Sequence, residues 1–244
     1  GDDSWGSMML LENGFGGGYA QNYGGVQVID QHLYSTIPAT DFRKKCWVDF
    51  SLDAITSKPA AITALGQYSN YPDRVYAAGK ENASYGLGGL SLKFRNAAGM
   101  ADTKYSAWCV SVPLMRVEEM YFIEAEAAER VAAGTGIALL QNFMKKYRDP
   151  NYTYTGTDAI DEILFQKRIE LWGEGQSFFD IKRANLSVTR GYPGTNFFDE
   201  WRFNTNGRPA WMNFCIVSWE ETENPAVKGK NNPDPSKAYK PWKE

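Results

Sequence analysis

The residues that most resemble chemistry lie at 165–183, FQKRIELWGEGQSFFDIKR. Glu170 and Glu174 stand four apart on one predicted helix and share a face. Paired carboxylates act as acid and base in glycoside hydrolysis, provided that one of them is pushed to a high pKa. Lys167 and Arg168 lie beside them, and neighbouring cations hold carboxylates ionised instead. The step Gly173-Glu174-Gly175 invites comparison with a dinucleotide loop. That motif needs a third glycine where this chain has Phe178, and a strand before it rather than a helix. The segment therefore reads as a helix end and a tight corner, with Phe178, Phe179 and Ile181 packed against the preceding helix.

Arg168 follows Leu164 by four and precedes Leu171 by three, which puts it on the apolar face of that helix. A buried arginine needs a carboxylate; the candidates are Glu124 or Glu126 on an earlier helix and Asp180 beyond the corner. Asp180 and Arg183 have the i, i+3 spacing of a pair. Glu126, Arg168, Glu170, Glu174, Asp180 and Arg183 are expected to form a structural charge lock, with no catalytic residue among them.

Composition narrows the alternatives. The one histidine among the 244 residues, His32, rules out any site built from two imidazoles, including the common hydrolytic zinc sites. Cys46, Cys109 and Cys215 are odd in number, widely spaced and set among apolar neighbours, so they form neither a zinc ribbon nor a disulfide framework. A net charge of −3 without a basic block argues against nucleic acid and against charge-driven docking on an anionic membrane. No run reaches the roughly 20 apolar residues of a membrane span, and the first residues lack a signal peptide's basic and apolar regions. The Asx-rich stretch 231–236, NNPDPS, has donors suited to Ca²⁺ but not the spacing of an EF-hand. No cofactor or metal is expected.

Those residues must be positioned by a helical middle. From 116 to 133 the chain is made of strong helix formers, and Val117, Met120, Tyr121, Ala127, Ala128 and Val131 keep helical spacing on one side. Gly134 stops this helix. Thr135 or Gly136 starts a second, with Ile137, Leu140, Met144 and Tyr147 on one stripe, ended by Asp149-Pro150. A connection this short makes the two antiparallel neighbours, the length of one tetratricopeptide-type repeat. A third helix is signalled by Thr157 and Asp161, buries Ile160, Ile163, Leu164 and Leu171, and stops at Gly173. Before it, 1–112 is rich in Gly and Tyr, with short strand candidates at 43–50, 90–94 and 107–112. After it, 189–244 is irregular and aromatic. The expectation is one mainly α domain with long irregular loops and a few short strands: a loop-rich region 1–112, a helical region 113–188 and a cap 189–244.

Aromatic residues are abundant, with 8 Trp, 14 Tyr and 13 Phe, and many stand in Gly- and Asn-rich contexts. Flat rings beside amides suit sugars, which offer apolar C–H faces and a rim of hydroxyls. Trp5, Phe15, Tyr19, Asn22, Tyr23, Tyr68, Tyr71 and Tyr85 are the candidate glycan-binding residues on this ground.

Two stretches, PLMRVEEMYFIEAEAAER at 113–130 and ILFQKRIELWGEGQSFFDIKR at 163–183, together resemble the C-terminal signature of the SusD/RagB family. The resemblance rests on Arg116, Glu119, Tyr121, Ala125, Glu126, Ala127, Gln166, Arg168, Glu170, Leu171, Glu174, Gly175, Asp180 and Arg183. It departs at Ser177, where arginine is frequent, and at Ile181, where leucine is. It covers about 113–190 and implies the C-terminal part of a longer protein. It further implies a non-enzymatic glycan-binding lipoprotein of the Bacteroidetes outer membrane. Its signal and lipid anchor would lie outside this chain, and its partner would be a SusC-like TonB-dependent transporter. It carries over no ligand residues. The alternatives are a helical-repeat module that only binds protein and, further off, a glycoside hydrolase.

Overall fold

A computed structural model describes Trp5, Met9, 27–54, Ala60, 88–94, 111–235 and 238–243. It is mainly helical, and among the described residues β-structure is limited to isolated antiparallel bridges. The chain divides into two compact units, Gly1–Glu174 and Gly175–Glu244. The division falls at the Gly-Glu-Gly corner.

In the first unit, α1 (Gln31–Thr36) is capped by Asp30, whose carboxylate accepts from His32 N at 3.1 Å. Segment 43–50 does not form the expected strand. Asp41 caps a 3₁₀ turn, Phe42–Cys46, and a second turn spans Phe50–Ala54. Between them, Val48 N donates to Leu90 O at 3.0 Å and Leu92 N to Cys46 O at 2.7 Å, while on the other side Ile29 N donates to Gly89 O at 3.0 Å. Residues 89–92 thus lie between 28–29 and 46–48. Of the third strand candidate, 107–110 lies outside the described residues.

Helices α2 (Val117–Val131), α3 (Thr135–Tyr147) and α4 (Ala159–Glu170) pack on one another. Phe122 and Ala125 of α2 meet Ile137, Leu140, Phe143 and Met144 of α3 and Ile163 of α4. Each large side chain buried here contributes about 1.5–3 kcal/mol. The opposite end of α4 joins a second core through Ile169, with Ile29, Leu33, Tyr34, Ile37 and Trp47. Helix α4 starts at Asp158, not Thr157: the Asp158 carboxylate accepts from Asp161 N at 2.9 Å. The buried side of α2 is also not the stripe picked out by spacing. Phe122, Ala125 and Glu126 face inward, whereas Val117, Met120, Tyr121 and Val131 are exposed. Tyr147 of α3 is exposed as well.

The α2–α3 turn depends on two glycines. Gly134 has φ 87°, the left-handed region that favours glycine. At Gly136 an added Cβ would stand 2.0 Å from Ala125 O and 2.6 Å from Glu129 Cβ, so the helices touch backbone to backbone there. Glu129 seals the contact by accepting from Gly134 N at 2.7 Å and from Ile137 N at 2.9 Å.

In the second unit, α5 (Gln176–Ala184) ends on Asn185, whose φ of 54° is left-handed. Phe178 stacks on Phe214 with centroids 6.3 Å apart, and Phe179 is 63% exposed rather than packed away. Arg190 lies over Phe197 and Phe203, and Phe203, Trp211 and Tyr239 form one aromatic cluster. A short helix, α6 (Ser218–Glu223), follows.

Gly136→Ala is expected to destabilise the chain by about 1–3 kcal/mol through overpacking. Gly134→Ala, where nothing stands within 4 Å, is expected to cost only its backbone strain, about 1–2 kcal/mol. Urea unfolding followed by circular dichroism ranks the two.

Candidate functional site: a buried charge cluster and the aromatic loops

Glu170, the last residue of α4, and Glu174, at the corner, are both nearly fully buried. Arg148, just past the end of α3, grips Glu170 with two hydrogen bonds, Nε to Oε2 at 2.7 Å and Nη2 to Oε1 at 2.8 Å. Arg116, which precedes α2, reaches Glu170 Oε1 at 3.3 Å and holds Glu174 from Nε at 2.8 Å and Nη2 at 2.9 Å. Arg43 adds a contact to Glu170 Oε2 at 3.5 Å and is itself clamped by Asp41. Lys93 binds the Glu174 carboxylate and caps the helix end through Glu170 O at 2.7 Å and Trp172 O at 2.9 Å. Glu118 bridges Arg116 and Arg148 at 3.0 and 3.3 Å. Four cations (Arg43, Lys93, Arg116, Arg148) thus face four carboxylates (Asp41, Glu118, Glu170, Glu174). The Arg148 guanidinium also lies over the rings of Phe42 and Phe143, at 5.3 and 4.9 Å.

Burial pushes the Glu170 carboxyl up, but the hydrogen bonds and charge of Arg148, with the charges of Arg43 and Arg116, outweigh it. The net result lies below the usual carboxylate range. Burial lowers the Lys93 ammonium, against the opposing pull of Glu174. A general acid needs the reverse shift. Both oxygens of each glutamate are occupied by cations, so the arrangement can fix five chain segments against one another, and it presents no carboxylate to a substrate.

Of the six residues of the expected lock, Glu170 and Glu174 meet in this cluster. Arg168 is not buried: its side chain is 50% exposed, with Asp30 Oδ2 4.0 Å away. Helix α4 touches two cores, so Ile163, Leu164, Gln166, Lys167, Ile169 and Glu170 all turn inward, and 161 and 168 are left on the outer rim. Glu126 binds Arg130 on its own helix, from Nη2 at 2.7 Å, and Asp180 accepts from Arg183 Nε at 2.9 Å. Sequence reasoning missed Arg43, Lys93 and Arg148. Arg116 and Glu118 lie inside the family motif, but a motif by itself names no partner for them. Nothing local marks Arg43 or Lys93 as partners of residues about 80 to 130 positions away.

Of the candidate glycan residues, Trp5 is described, and it is used internally. Its indole N–H donates to Gly173 O at 3.1 Å, and its ring stands edge-on to Phe94 at 4.9 Å. Phe15, Tyr19, Asn22, Tyr23, Tyr68, Tyr71 and Tyr85 lie outside the described residues. In the Asx-rich stretch, Asn231 bonds Ile216 N and O at 2.7 and 2.9 Å, and Asn232 bonds Phe214 O at 2.7 Å. These amides hold two loop segments together. Among the described residues no group of three His, Cys, Asp or Glu is arranged to hold a metal ion, and no helix is long and apolar enough to cross a membrane.

The model of the SusD family (SusD_RagB) matches residues 18–233. The chain belongs to the SusD family. No curated protein and no solved structure matches it. The family match extends well beyond 113–190, the stretch that carries the motif. It takes in Tyr19, Asn22, Tyr23, Tyr68, Tyr71 and Tyr85, and leaves Trp5 and Phe15 outside. SusD-family proteins are in general non-catalytic glycan binders of nutrient uptake, in keeping with a cluster whose carboxylates are all engaged.

Glu170→Gln leaves Arg43, Arg148 and Arg116 without their shared counter-charge. It is expected to cost about 3–5 kcal/mol in denaturant unfolding. Because the folded carboxyl lies below its ordinary value of 4.5, its contribution is present above that pH and is lost as pH falls through the folded value. Thermal melts between pH 7 and pH 3 should show a steeper acid loss in the wild type than in Glu170→Gln.

Proposed function

We propose that this protein binds oligo- or polysaccharide at the bacterial cell surface without cleaving it, and passes it to a SusC-like TonB-dependent transporter in the outer membrane. The family match over 18–233 carries this reading. The engaged carboxylates of Glu170 and Glu174 support its non-catalytic part. In this reading the chain works as a surface lipoprotein of a Bacteroidetes outer membrane, needs no cofactor, and touches the membrane only through a lipid anchor.

Tyr19, Tyr23, Tyr68, Tyr71 and Tyr85, with Phe15, supply ring faces for the sugar, and Asn22 an amide for its hydroxyls. Trp5 is left out of the platform, because its polar edge is committed to Gly173. Stacking on such rings needs no bond-making residue, and shallow contacts of this kind suit a subunit that must hand its ligand on.

Calorimetry against a panel of oligosaccharides is expected to find at least one ligand, with no new reducing ends after prolonged incubation. Tyr68→Ala and Tyr71→Ala together should weaken that ligand about tenfold or more, a loss of about 1.4 kcal/mol. Release of shorter sugars by the wild-type protein would overturn the reading in favour of a hydrolase.

A further inference from the structure

In the second unit, Asn206 is the one asparagine among the described residues that precedes a glycine; the others precede Phe, Tyr, Leu, Thr, Asn or Pro. The backbone nitrogen of a glycine can close on the preceding side-chain amide, because no Cβ stands in the way. Asparagine amides are among the heat-labile groups of a protein. Asn206 is exposed, and its amide takes no hydrogen bond among the described residues. The amides of Asn185, Asn204, Asn224, Asn231 and Asn232 are all engaged.

The fold restrains this step from the other side. Gly207 N donates to Ser187 Oγ at 2.8 Å, and Thr205 Oγ1 donates to Gly207 O at 2.7 Å. Arg208 N donates to Asn185 Oδ1 at 3.1 Å, and its Nη1 donates to Lys182 O at 3.2 Å. Thr205 N donates to Val188 O at 2.9 Å, and Val188 N to Thr205 Oγ1 at 2.8 Å. Residues 205–208 are thus tied to the end of α5 and to 185–188. To attack Cγ of Asn206, Gly207 N must give up the proton that it shares with Ser187 and turn away from that hydroxyl.

We propose that Asn206 is a site of spontaneous deamidation, and that the hydrogen bond from Gly207 N to Ser187 sets its rate. Base removes the Gly207 N–H proton, the bond from that nitrogen to Asn206 Cγ forms, and the bond from Cγ to Nδ2 breaks. Ammonia leaves with the proton. Water then opens the cyclic imide, its hydroxyl going to a carbonyl carbon and its proton to the nitrogen. In sum, amide and water become carboxylic acid and ammonia, with no change of oxidation state. Opening at Cγ leaves aspartate. Opening at the main-chain carbonyl leaves isoaspartate, whose main chain is one methylene longer. That extra length pulls Gly207 N off Ser187 and Arg208 N off Asn185, so the loop comes untied from α5. The proposal stands independently of glycan binding, since it uses none of the aromatic loop residues.

The test incubates the full chain at mildly alkaline pH, beside Ser187→Ala and Asn206→Gln, and follows digests by tandem mass spectrometry. The mass gain of an amide turned acid is expected at Asn206 before any other asparagine among the described residues. In Ser187→Ala it should accumulate about two- to tenfold faster, the range that one lost hydrogen bond supplies. An isoaspartate-specific methyltransferase should label the peptide holding residue 206 in aged wild type, and leave the same peptide of Asn206→Gln unlabelled. Acceleration confined to Asn206 marks the local bond. Acceleration at every asparagine would mark a general loss of folding and would overturn the proposal. An equal rate in Ser187→Ala, or an Asn206 that stays an amide, would overturn it too.

Discussion

Four cations converge on two buried carboxylates where α4 meets the corner, and the first unit is arranged around that meeting. Removing an ion from water costs several kcal/mol even after relaxation, so such a cluster stands only as a closed set in which each charge has its counterpart. The set draws on five places in the chain: the turn at 41–43, Lys93, the start of α2 with Arg116 and Glu118, the end of α3 with Arg148, and the end of α4. Each is a place where regular structure begins or stops, and where the hydrophobic cores have least hold. Directional, charge-assisted bonds fix there what apolar packing leaves loose. The contacts of Arg148 with the rings of Phe42 and Phe143 tie the cluster to the helical core.

The helices themselves are set by close approach. Gly136 lets the first turn of α3 lie on the Ala125 carbonyl, and Glu129 satisfies amides that the start of α3 leaves open. With α2 and α3 fixed as a pair, α4 can face two cores at once, Ile163 in one and Ile169 in the other. That double burial explains why α4 carries Gln166, Lys167 and Glu170 inward, each of them polar. A helix that serves both cores has too little outer surface left to keep every polar side chain in water.

A framework of this kind leaves function to what is mounted on it. The glutamates that look most like an acid–base pair are the ones most completely engaged by structure. SusD-family proteins in general bind glycan without cutting it.

Local chemistry was enough to identify the family, the helical middle and most of its limits. Gly134 and Asp149-Pro150 interrupt helices wherever they occur, and a motif is a run of residues. The sequence also marked Glu170 and Glu174 as structural, since neighbouring cations decide that locally. Which cations those are depends on the folded chain, which replaced Arg168 with Arg43, Lys93, Arg116 and Arg148. The buried side of α2 depends on it as well: spacing marks an apolar stripe, but α2 has two, and only the packing of α3 and α4 chooses between them. The strands predicted at 43–50 and 90–94 shrank to single bridges for a related reason, because Asp41 and Arg43 bind each other and turn the chain before a ladder can extend. Periodicity records what a segment is able to bury, whereas burial itself depends on partners far away in the chain.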